Sequence, residues 1–239
     1  MTCCVALIPA RGGSKRLPRK NIIDFLGRPI IEYTIEAAHR SGCFNRIVVS
    51  TEDQEIATLA SEYGAEVAER SMALAGDSAS VIEVCLDFLA RQEASGKLPD
   101  HLAVLYPTAP LRSDNDVKAV MSKLEPGVCD FAMAVTRYDL PPHQALKFGP
   151  DDTLQPMWPE LVARRSSDLP QLCVDNGSTY AVTTEAFREH RTFYGPTLRG
   201  FEMPRERSID IDTPLDLELA RAAARRLGLS RAAAIGEHT

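Results

Sequence analysis

The sequence is poor in the features that mark membrane, secreted or nucleic-acid-binding proteins. It contains no apolar run near the roughly 20 residues that a membrane-spanning helix needs. Basic residues are outnumbered, with 27 Lys and Arg against 33 Asp and Glu and a formal charge of −6. A general binder of nucleic acid or of an anionic membrane needs a basic face, so we expect neither partner. The six cysteines form no CxxC pair, which predicts reduced thiols in a cytoplasmic protein and no zinc site or disulfide framework.

The composition is that of an ordinary globular protein, 44% hydrophobic and 25% charged. With 239 residues the chain suits one large domain, or one with a small appendage. Up to residue 136, short apolar runs alternate with segments of helical periodicity. The predicted strands are 3–10, 46–50, 102–107 and 131–136; the predicted helices are 30–40, a segment from a capping box at Thr51 and Gln54 to Gly64, a segment capped by Ser80, and 114–124. This alternation predicts βαβ units, and hence an α/β fold with a mainly parallel sheet.

The alternation stops after residue 136. Residues 137–176 are rich in proline and polar residues, with two short strand-like pieces at 145–148 and 154–158. We interpret this range as an excursion from the sheet that could contact another subunit. A strand returns at 179–182 and a last helix runs from Pro214 to Leu227. The main domain is therefore predicted to comprise 1–136 and 177–239.

A basic loop follows the first strand, with the sequence RGGSKRLPRKN at 11–21. Ligands of open α/β sheets bind at the carboxyl ends of the strands, where this loop begins. Its two glycines let backbone N–H groups approach an anion, and its lysines and arginines supply charged donors. The loop matches neither GxxxxGK[ST] nor GxGxxG. A polyphosphate site is the favoured interpretation, and a solvated basic turn is the alternative.

Two acidic residues stand together near the carboxyl end, in the segment SIDIDTP at 208–214. In an extended segment Asp210 and Asp212 point the same way, because side chains alternate with period two. Paired carboxylates are hard oxygen ligands suited to Mg²⁺. The alternative is that one Asp caps the final helix, a role that Thr213 already fits.

Two further loops are weaker candidates. Arg70 and the small residues at 74–80 could offer backbone donors and hydroxyls to a nucleotide base, although Ser80 alone is more often a helix cap. The segment LYPTAPLR at 105–112 follows the third strand, and its two prolines could fix a substrate wall. The five histidines show no metal-ligand spacing, and no Ser/His/Asp nucleophilic set can be argued.

Together these segments resemble the acylneuraminate cytidylyltransferases, the CMP–sialic acid synthetases and their relatives. The matching pieces follow the family order along the chain: IPARGGSKRLPRKN at 8–21, LGRPIIEYTIEAA at 26–38, FNRIVVSTEDQEIA at 44–57, LAGDSAS at 74–80, PTAPLR at 107–112, DNGSTY at 175–180 and ERSIDIDTPLDLELA at 206–220.

The resemblance implies a Rossmann-like nucleotidyltransferase fold and a homodimer built by an inserted arm, here 137–176. It implies transfer of CMP from CTP to the anomeric hydroxyl of a free nine-carbon α-keto acid sugar, with Mg²⁺ as cofactor and pyrophosphate as the second product.

The resemblance also implies roles for individual residues. The catalytic set would be Arg11, Lys15, Lys20, Asp210 and Asp212, with the metal on Asp210 and Asp212. The nucleotide would contact Arg11, Gly12, Gly13, Ser14, Lys15, Lys20, Asn21, Arg70, Asp77, Ser78 and Ser80. The sugar would contact Tyr106, Pro107, Thr108, Gln144, Arg165 and Asn176.

Departures from the sialate pattern bear on the acceptor. Tyr106 stands where synthetases for N-acetylneuraminate usually carry Gln, and Gln144 near the position of a Lys. These positions and the run 165–169 look more like members that act on pseudaminic acid, whereas 175–177 and the PTAPLR loop resemble the sialate and legionaminate members. We favour a bacterial nonulosonate such as pseudaminic acid.

Other functions compete with this one. A nucleotidyltransferase for 3-deoxy-octulosonate or a sugar 1-phosphate would carry a different loop signature. A D-x-D glycosyltransferase would place its acidic pair at the end of an inner strand, whereas here the pair precedes the last helix. A nucleotide-binding relative without catalysis would bind CTP but turn over no sugar.

Overall fold

Seven strands form one sheet in the computed structural model, which describes residues 2–76 and 79–229. The strands in chain order are β1 (Cys4–Pro9), β2 (Asp24–Phe25), β3 (Arg28–Pro29), β4 (Arg46–Thr51), β5 (Glu66–Glu69), β6 (His101–Leu105), β7 (Phe131–Arg137), β8 (Leu146–Phe148), β9 (Leu154–Pro156), β10 (Cys173–Thr183) and β11 (Leu198–Glu202). The helices are α1 (Ile30–Ser41), α2 (Gln54–Glu62), α3 (Val81–Ala94), α4 (Asp114–Met121), α5 (Pro159–Val162), α6 (Thr184–His190) and α7 (Pro214–Arg226).

The large sheet has the strand order β11-β7-β10-β6-β1-β4-β5. Every neighbouring pair is parallel except those made by β10, which runs antiparallel to both β6 and β7. The prediction of an α/β fold with a mainly parallel sheet is therefore confirmed. Because β10 is reversed, its amino end lies beside the carboxyl end of β6.

Helices cover both faces of the sheet, which explains why the central strands are apolar throughout. On one face Val5 and Leu7 of β1 pack with Leu89 of α3 in a fully buried cluster. On the other face Ile8 of β1 packs with Ile35 of α1. A third cluster joins the basic loop, α1 and α7 beside the segment that carries the two aspartates.

Most predicted elements are confirmed, and the exceptions have physical reasons. The strand β5 was not predicted because its sequence, EVAE, has little apolar surface and lies at the sheet edge. The strand β11 and the helix α6 were missed as well. The predicted capping box at Thr51 and Gln54 is wrong, since Asp53 caps α2 by accepting from the N–H groups of Glu55 and Ile56.

The chain leaves the sheet after Arg137 and rejoins it at Cys173, and these two residues are paired between β7 and β10. We call the intervening residues 138–172 the arm. It contains an antiparallel hairpin of β8 and β9, at the two pieces predicted as strands, and the short helix α5. Residues 173–176, which the sequence assigned to the excursion, belong to β10.

Among the described residues, no helix combines the length and apolar character needed to span a membrane.

Candidate active site

A cleft of about 310 Å³ opens at the carboxyl ends of β1 and β6. This is the edge at which open α/β sheets bind ligands. Its walls bring together parts of the chain that are far apart in sequence. They are formed by Pro9, Arg11, Lys20, Asn21, Arg70, Ala79, Val81, Val84, Tyr106, Pro107, Thr108, Asp210 and Asp212.

The basic loop is held against the end of β4. The N–H of Gly12 donates to Oε1 of Glu52 at 2.7 Å, and a Cβ at position 12 would overlap the carboxylate of Asp53. Arg19 reaches the same carboxylate with two guanidinium nitrogens. Within the loop, Nδ2 of Asn21 donates to the carbonyl of Arg11 at 2.8 Å. These contacts fix the backbone of a loop that has little regular structure of its own.

Two cations of the loop meet one carboxylate across the cleft. Nζ of Lys20 donates to Oδ1 of Asp212 at 2.5 Å, and Arg16 pairs with Oδ2. Partial burial opposes ionisation of Asp212, but the ion pairs with Lys20 and Arg16 outweigh it and lower the pKa of this carboxyl. Two cations facing one anion leave local positive charge, which suits a ligand with several negative charges.

Asp210 lies deeper than Asp212 and has a different environment. Burial raises the pKa of Asp210, although a hydrogen bond with the Thr108 side chain favours the ionised form. Its Oδ1 is buried and has no hydrogen-bond partner. The backbone is fixed nearby, since the N–H of Ile211 donates to the carbonyl of Thr108 at 2.9 Å.

The two carboxylates fit a divalent cation. A buried oxygen without a donor, beside a second carboxylate in the same cleft, offers hard oxygen ligands to Mg²⁺. Among the described residues no group of three or more His, Cys, Asp or Glu is placed to hold a metal. The protein would supply two ligands here, and substrate phosphates or water would supply the others, as is usual for Mg²⁺.

Arg70 lines the other side of the cleft, and Ser80 stands between two residues that also line it, Ala79 and Val81. The buried guanidinium of Arg70 donates to the carbonyl of Ser50 at 2.8 Å, and burial lowers its pKa. Ser80 forms a capping box with Glu83 at the start of α3, which is the alternative role that its sequence context allowed. Asp77 and Ser78 lie outside the described residues.

The segment after β6 forms the back wall. The ring of Tyr106 packs against Tyr180 with 5.5 Å between centroids, and burial raises the pKa of Tyr106. The buried guanidinium of Arg112 holds this wall by donating to the carbonyls of Tyr106 and Ser178, at 3.3 and 2.7 Å, and to Oγ1 of Thr34 at 2.7 Å. Pro107 and Thr108 are buried in the same wall.

Eight of the described residues that were predicted for the site do not line the cleft: Gly12, Gly13, Ser14, Lys15, Ser80, Gln144, Arg165 and Asn176. Gln144 and Arg165 are exposed on the arm. The buried side chain of Asn176 donates to Ser208 Oγ at 3.0 Å and to Met203 Sδ at 3.3 Å, and accepts from the N–H of Ser178 at 3.2 Å. Their substrate contacts stay predictions.

Sequence reasoning overlooked a cluster of hydroxyls around Asp175. Tyr180 Oη donates to its two carboxylate oxygens at 2.9 and 2.8 Å, and Tyr194 Oη donates at 2.7 Å. The bond to Asp175 is the main reason that the pKa of Tyr194 rises to about 12. Asp175 meets Tyr180 because the register of β10 shifts between them, at Gly177 with φ +64°. Strand alternation alone would not have placed these two side chains together.

Comparison with known proteins gives consistent matches. A family profile described as cytidylyltransferase matches residues 5–138. A pseudaminic acid cytidylyltransferase from Campylobacter jejuni is 37% identical over 218 residues, 91% of this chain and 94% of that protein. The CMP-N,N'-diacetyllegionaminic acid synthase of Legionella pneumophila is 35% identical over 223 residues, 90% of this chain and 93% of that protein.

A solved structure supports the fold independently. The CMP:2-keto-3-deoxy-manno-octonic acid synthetase complexed with CTP has a TM-score of 0.71 at 18% identity, covering 95% of this chain and all (100%) of that chain. At this identity the likeness concerns the fold of the two chains and not their substrates.

Proposed function

The chain belongs to the cytidylyltransferase family, and from this premise we propose that it transfers CMP from CTP to the anomeric hydroxyl of a nine-carbon α-keto acid sugar. We propose pseudaminic acid as the acceptor. The observation that supports this most is the 37% identity to the Campylobacter enzyme over nearly the full length of both chains. Tyr106, in the cleft wall, stands where sialate synthetases usually carry Gln and supports the same choice.

The reaction is an in-line substitution at the α-phosphorus of CTP, in which the sugar hydroxyl attacks and pyrophosphate leaves. Such transfers depend mainly on positioning and on neutralising the charge of the phosphoryl oxygens. Arg11 and Lys20 line the cleft and would stabilise the charge that develops on the departing pyrophosphate. Lys15, in the same loop, is proposed for the same task.

Asp210 and Asp212 are the residues that would hold Mg²⁺. The ion would supply charge neutralisation at the α-phosphate and lower the pKa of the attacking hydroxyl. Lys20 and Arg16, which pair with Asp212, would then be available to phosphate oxygens. The carboxylate would thus exchange one set of positive partners for another.

We propose that the active form is a homodimer made through the arm. The arm exposes large apolar side chains, among them Leu140 at 81% and Phe148 at 83%. Contiguous exposed apolar surface is typical of protein–protein interfaces. In a symmetric dimer both copies use the same surface patch, so both arms would take part in the interface.

The test is pyrophosphate release with CTP and Mg²⁺ against free pseudaminic, legionaminic, N-acetylneuraminic and 3-deoxy-octulosonic acids. We expect the highest kcat/KM with pseudaminic acid, and only background release when ATP, GTP or UTP replaces CTP. A higher kcat/KM with legionaminic acid would overturn the acceptor assignment while keeping the reaction.

Two other outcomes would contradict the proposed reaction itself and not only the acceptor. Release with a sugar 1-phosphate, and none with a keto-acid sugar, would contradict the proposed reaction. Binding of CTP with no turnover of any acid in the panel would favour a nucleotide-binding relative without this activity.

A further inference from the structure

An ion pair outside the cleft joins α4 to the chain just before Asp210. Arg207 donates from Nη2 to Oδ1 of Asp116 at 2.6 Å and from Nε to Oδ2 at 3.1 Å. Asp116 is 1% exposed, so its charge is removed from water and requires a partner of opposite charge. Arg207 lines a separate cavity of about 600 Å³ beside α1 and the start of α4. Neither residue lines the cleft that holds Asp210 and Asp212.

Asp116 is itself held rigidly. Its Oδ2 accepts from the N–H of Ser113 at 2.8 Å and from the Ser113 hydroxyl at 2.7 Å, while its own N–H donates back to that hydroxyl. This reciprocal cap fixes the carboxylate at the first turn of α4. Ser113 directly follows Arg112, which holds the back wall of the cleft. Arg207 is therefore tied to a part of the molecule that is already fixed relative to the cleft.

The segment from Ser208 to Asp212 forms neither helix nor strand, so tertiary contacts set its position. Ser208 Oγ accepts from Asn176 of β10 at 3.0 Å. Farther along, Ile211 is fully buried and its N–H bonds to Thr108. The two-fold bond from Arg207 anchors the amino end of the segment, three residues before Asp210. A planar guanidinium bound at two nitrogens fixes direction as well as distance.

We infer that the Asp116–Arg207 pair positions the carboxylates of Asp210 and Asp212 for the divalent cation and thereby sets the metal affinity of the site. The inference rests on the proposed function, which places the cation on these two aspartates. Supporting contacts of this kind matter because metal ligands must be held within a fraction of an ångström of their productive geometry. Asp116 and Arg207 are positioning residues.

The experiment compares D116N and R207K with the wild-type chain. Asparagine keeps the shape of Asp116 and can still accept the helix-capping hydrogen bonds. Lysine keeps the charge of Arg207 but cannot form its two parallel hydrogen bonds to the carboxylate. Mn²⁺ affinity is measured by water-proton relaxation with CTP and no acceptor, after subtraction of the Mn²⁺–CTP complex without protein. We expect the half-saturating Mn²⁺ concentration to rise about tenfold in each variant. The Mg²⁺ concentration for half-maximal turnover should rise in parallel, with the KM for the acceptor sugar unchanged.

A matched control is E202Q. Glu202 pairs with Arg137 at 2.7 Å, both side chains are largely exposed, and neither lines the cleft. This variant should keep the wild-type Mn²⁺ affinity. A lower unfolding midpoint with unchanged Mn²⁺ affinity in D116N and R207K would overturn the inference, because it would show a structural role alone. If D116N does not fold, the Mn²⁺ affinity of R207K alone tests the inference.

The two proposals fail in different ways. If the wild-type chain with CTP gives no protein-dependent Mn²⁺ signal, the proposed metal site is wrong and this inference with it. If the wild-type chain gives the signal and both variants keep its affinity, the metal site stands and only the positioning role is wrong.

Discussion

The sheet and the arm differ in how far their large apolar side chains are exposed to solvent. In β1 and β6, Leu7 and Val104 are fully buried, because helices cover both faces of the sheet. In the arm, Leu140 and Phe148 are 81% and 83% exposed, and Phe148 lies on the two-stranded hairpin of β8 and β9. An isolated hairpin is at best marginally stable in water. The central strands of the sheet are covered within one chain, and we propose that a second copy covers the arm.

The candidate site follows the same division. All the residues that line the cleft belong to the sheet, its helices and their loops, and none belongs to the arm. The chemistry is therefore expected to depend on the sheet body, and the assembly on the arm. Four changes, ordered by expected effect, would break or sharpen this contrast.

The largest effect is expected from Asp212→Ala in the sheet body. Removing this carboxylate takes away a proposed metal ligand and the partner of Lys20, while Thr213 still caps α7. We expect kcat/KM to fall about 100- to 1,000-fold, as when one preorganised charge-stabilising group is lost. Glu206→Ala, an exposed change in the preceding turn, is the matched control. Near-normal turnover with Mg²⁺ would contradict the metal assignment.

The next effect is expected from Phe148→Asp in the arm. A charge on the most exposed aromatic of the hairpin should raise the dimer dissociation constant about 30-fold or more, the effect of losing one interface hot spot. Sedimentation velocity over a concentration series measures it. Lys147→Ala, also exposed on β8, should leave the dimer intact. A wild-type chain that sediments as a monomer would rule out the proposed dimer.

A smaller effect is expected from Tyr106→Gln in the back wall. Replacing a ring that packs on Tyr180 with an amide changes the polar groups that face the acceptor. Loss or gain of one polar partner in a substrate pocket changes the ratio of kcat/KM between two competing substrates by about tenfold or more. We expect the ratio of kcat/KM for pseudaminic over N-acetylneuraminic acid to fall about tenfold. Tyr138→Gln, on the arm, should not change this ratio; an equal ratio in Tyr106→Gln and wild type would exclude Tyr106 as a specificity residue.

The smallest effect is expected from Arg19→Gln, which tests how the basic loop is fastened to the body. Hydrogen bonds from Arg19 lower the pKa of Asp53 in the folded chain. A carboxyl group whose pKa is lower in the folded chain than in the unfolded chain stabilises the fold at pH values above its unfolded pKa, about 3.9. This stabilisation is lost as the pH falls through the pKa of the folded chain. The pair is partly exposed and screened, so we expect Arg19→Gln to cost less than about 1 kcal/mol at pH 7.

Urea unfolding of both proteins at pH 7 and near pH 2 measures this difference. The gap between wild type and Arg19→Gln should narrow at the lower pH, because protonation of Asp53 removes the charge that pairs with Arg19. A gap of equal size at both pH values would show that Arg19 stabilises the loop by packing and not by charge.

The sequence was most informative where local chemistry decides structure. The apolar run of β1, the basic loop after it and the cap at Ser80 could all be predicted from adjacent residues. Side-chain alternation pointed Asp210 and Asp212 to one side, and both line the cleft.

What could not be predicted depends on long-range packing. The polar start of β10 resembles a loop, and only its pairing with β7 makes it a strand. The register shift at Gly177 brings Tyr180 to Asp175, and no periodicity indicates it. Arg112, Asp116 and Arg207 are ordinary charged residues in sequence. The burial of the first two, and the pairing of Asp116 with Arg207, are known only from the fold.

The pairing of Arg137 with Cys173 has a consequence for how this protein can change. The chain enters the arm at the end of β7 and leaves it at the start of β10, and these two strand ends are neighbours in the sheet. The arm is therefore an insertion between two paired strands. Exchanging residues 138–172 for those of a relative would leave the register of β7 and β10 untouched. We therefore expect that the proposed assembly through the arm can diversify, or be redesigned by grafting, while the cleft keeps its geometry.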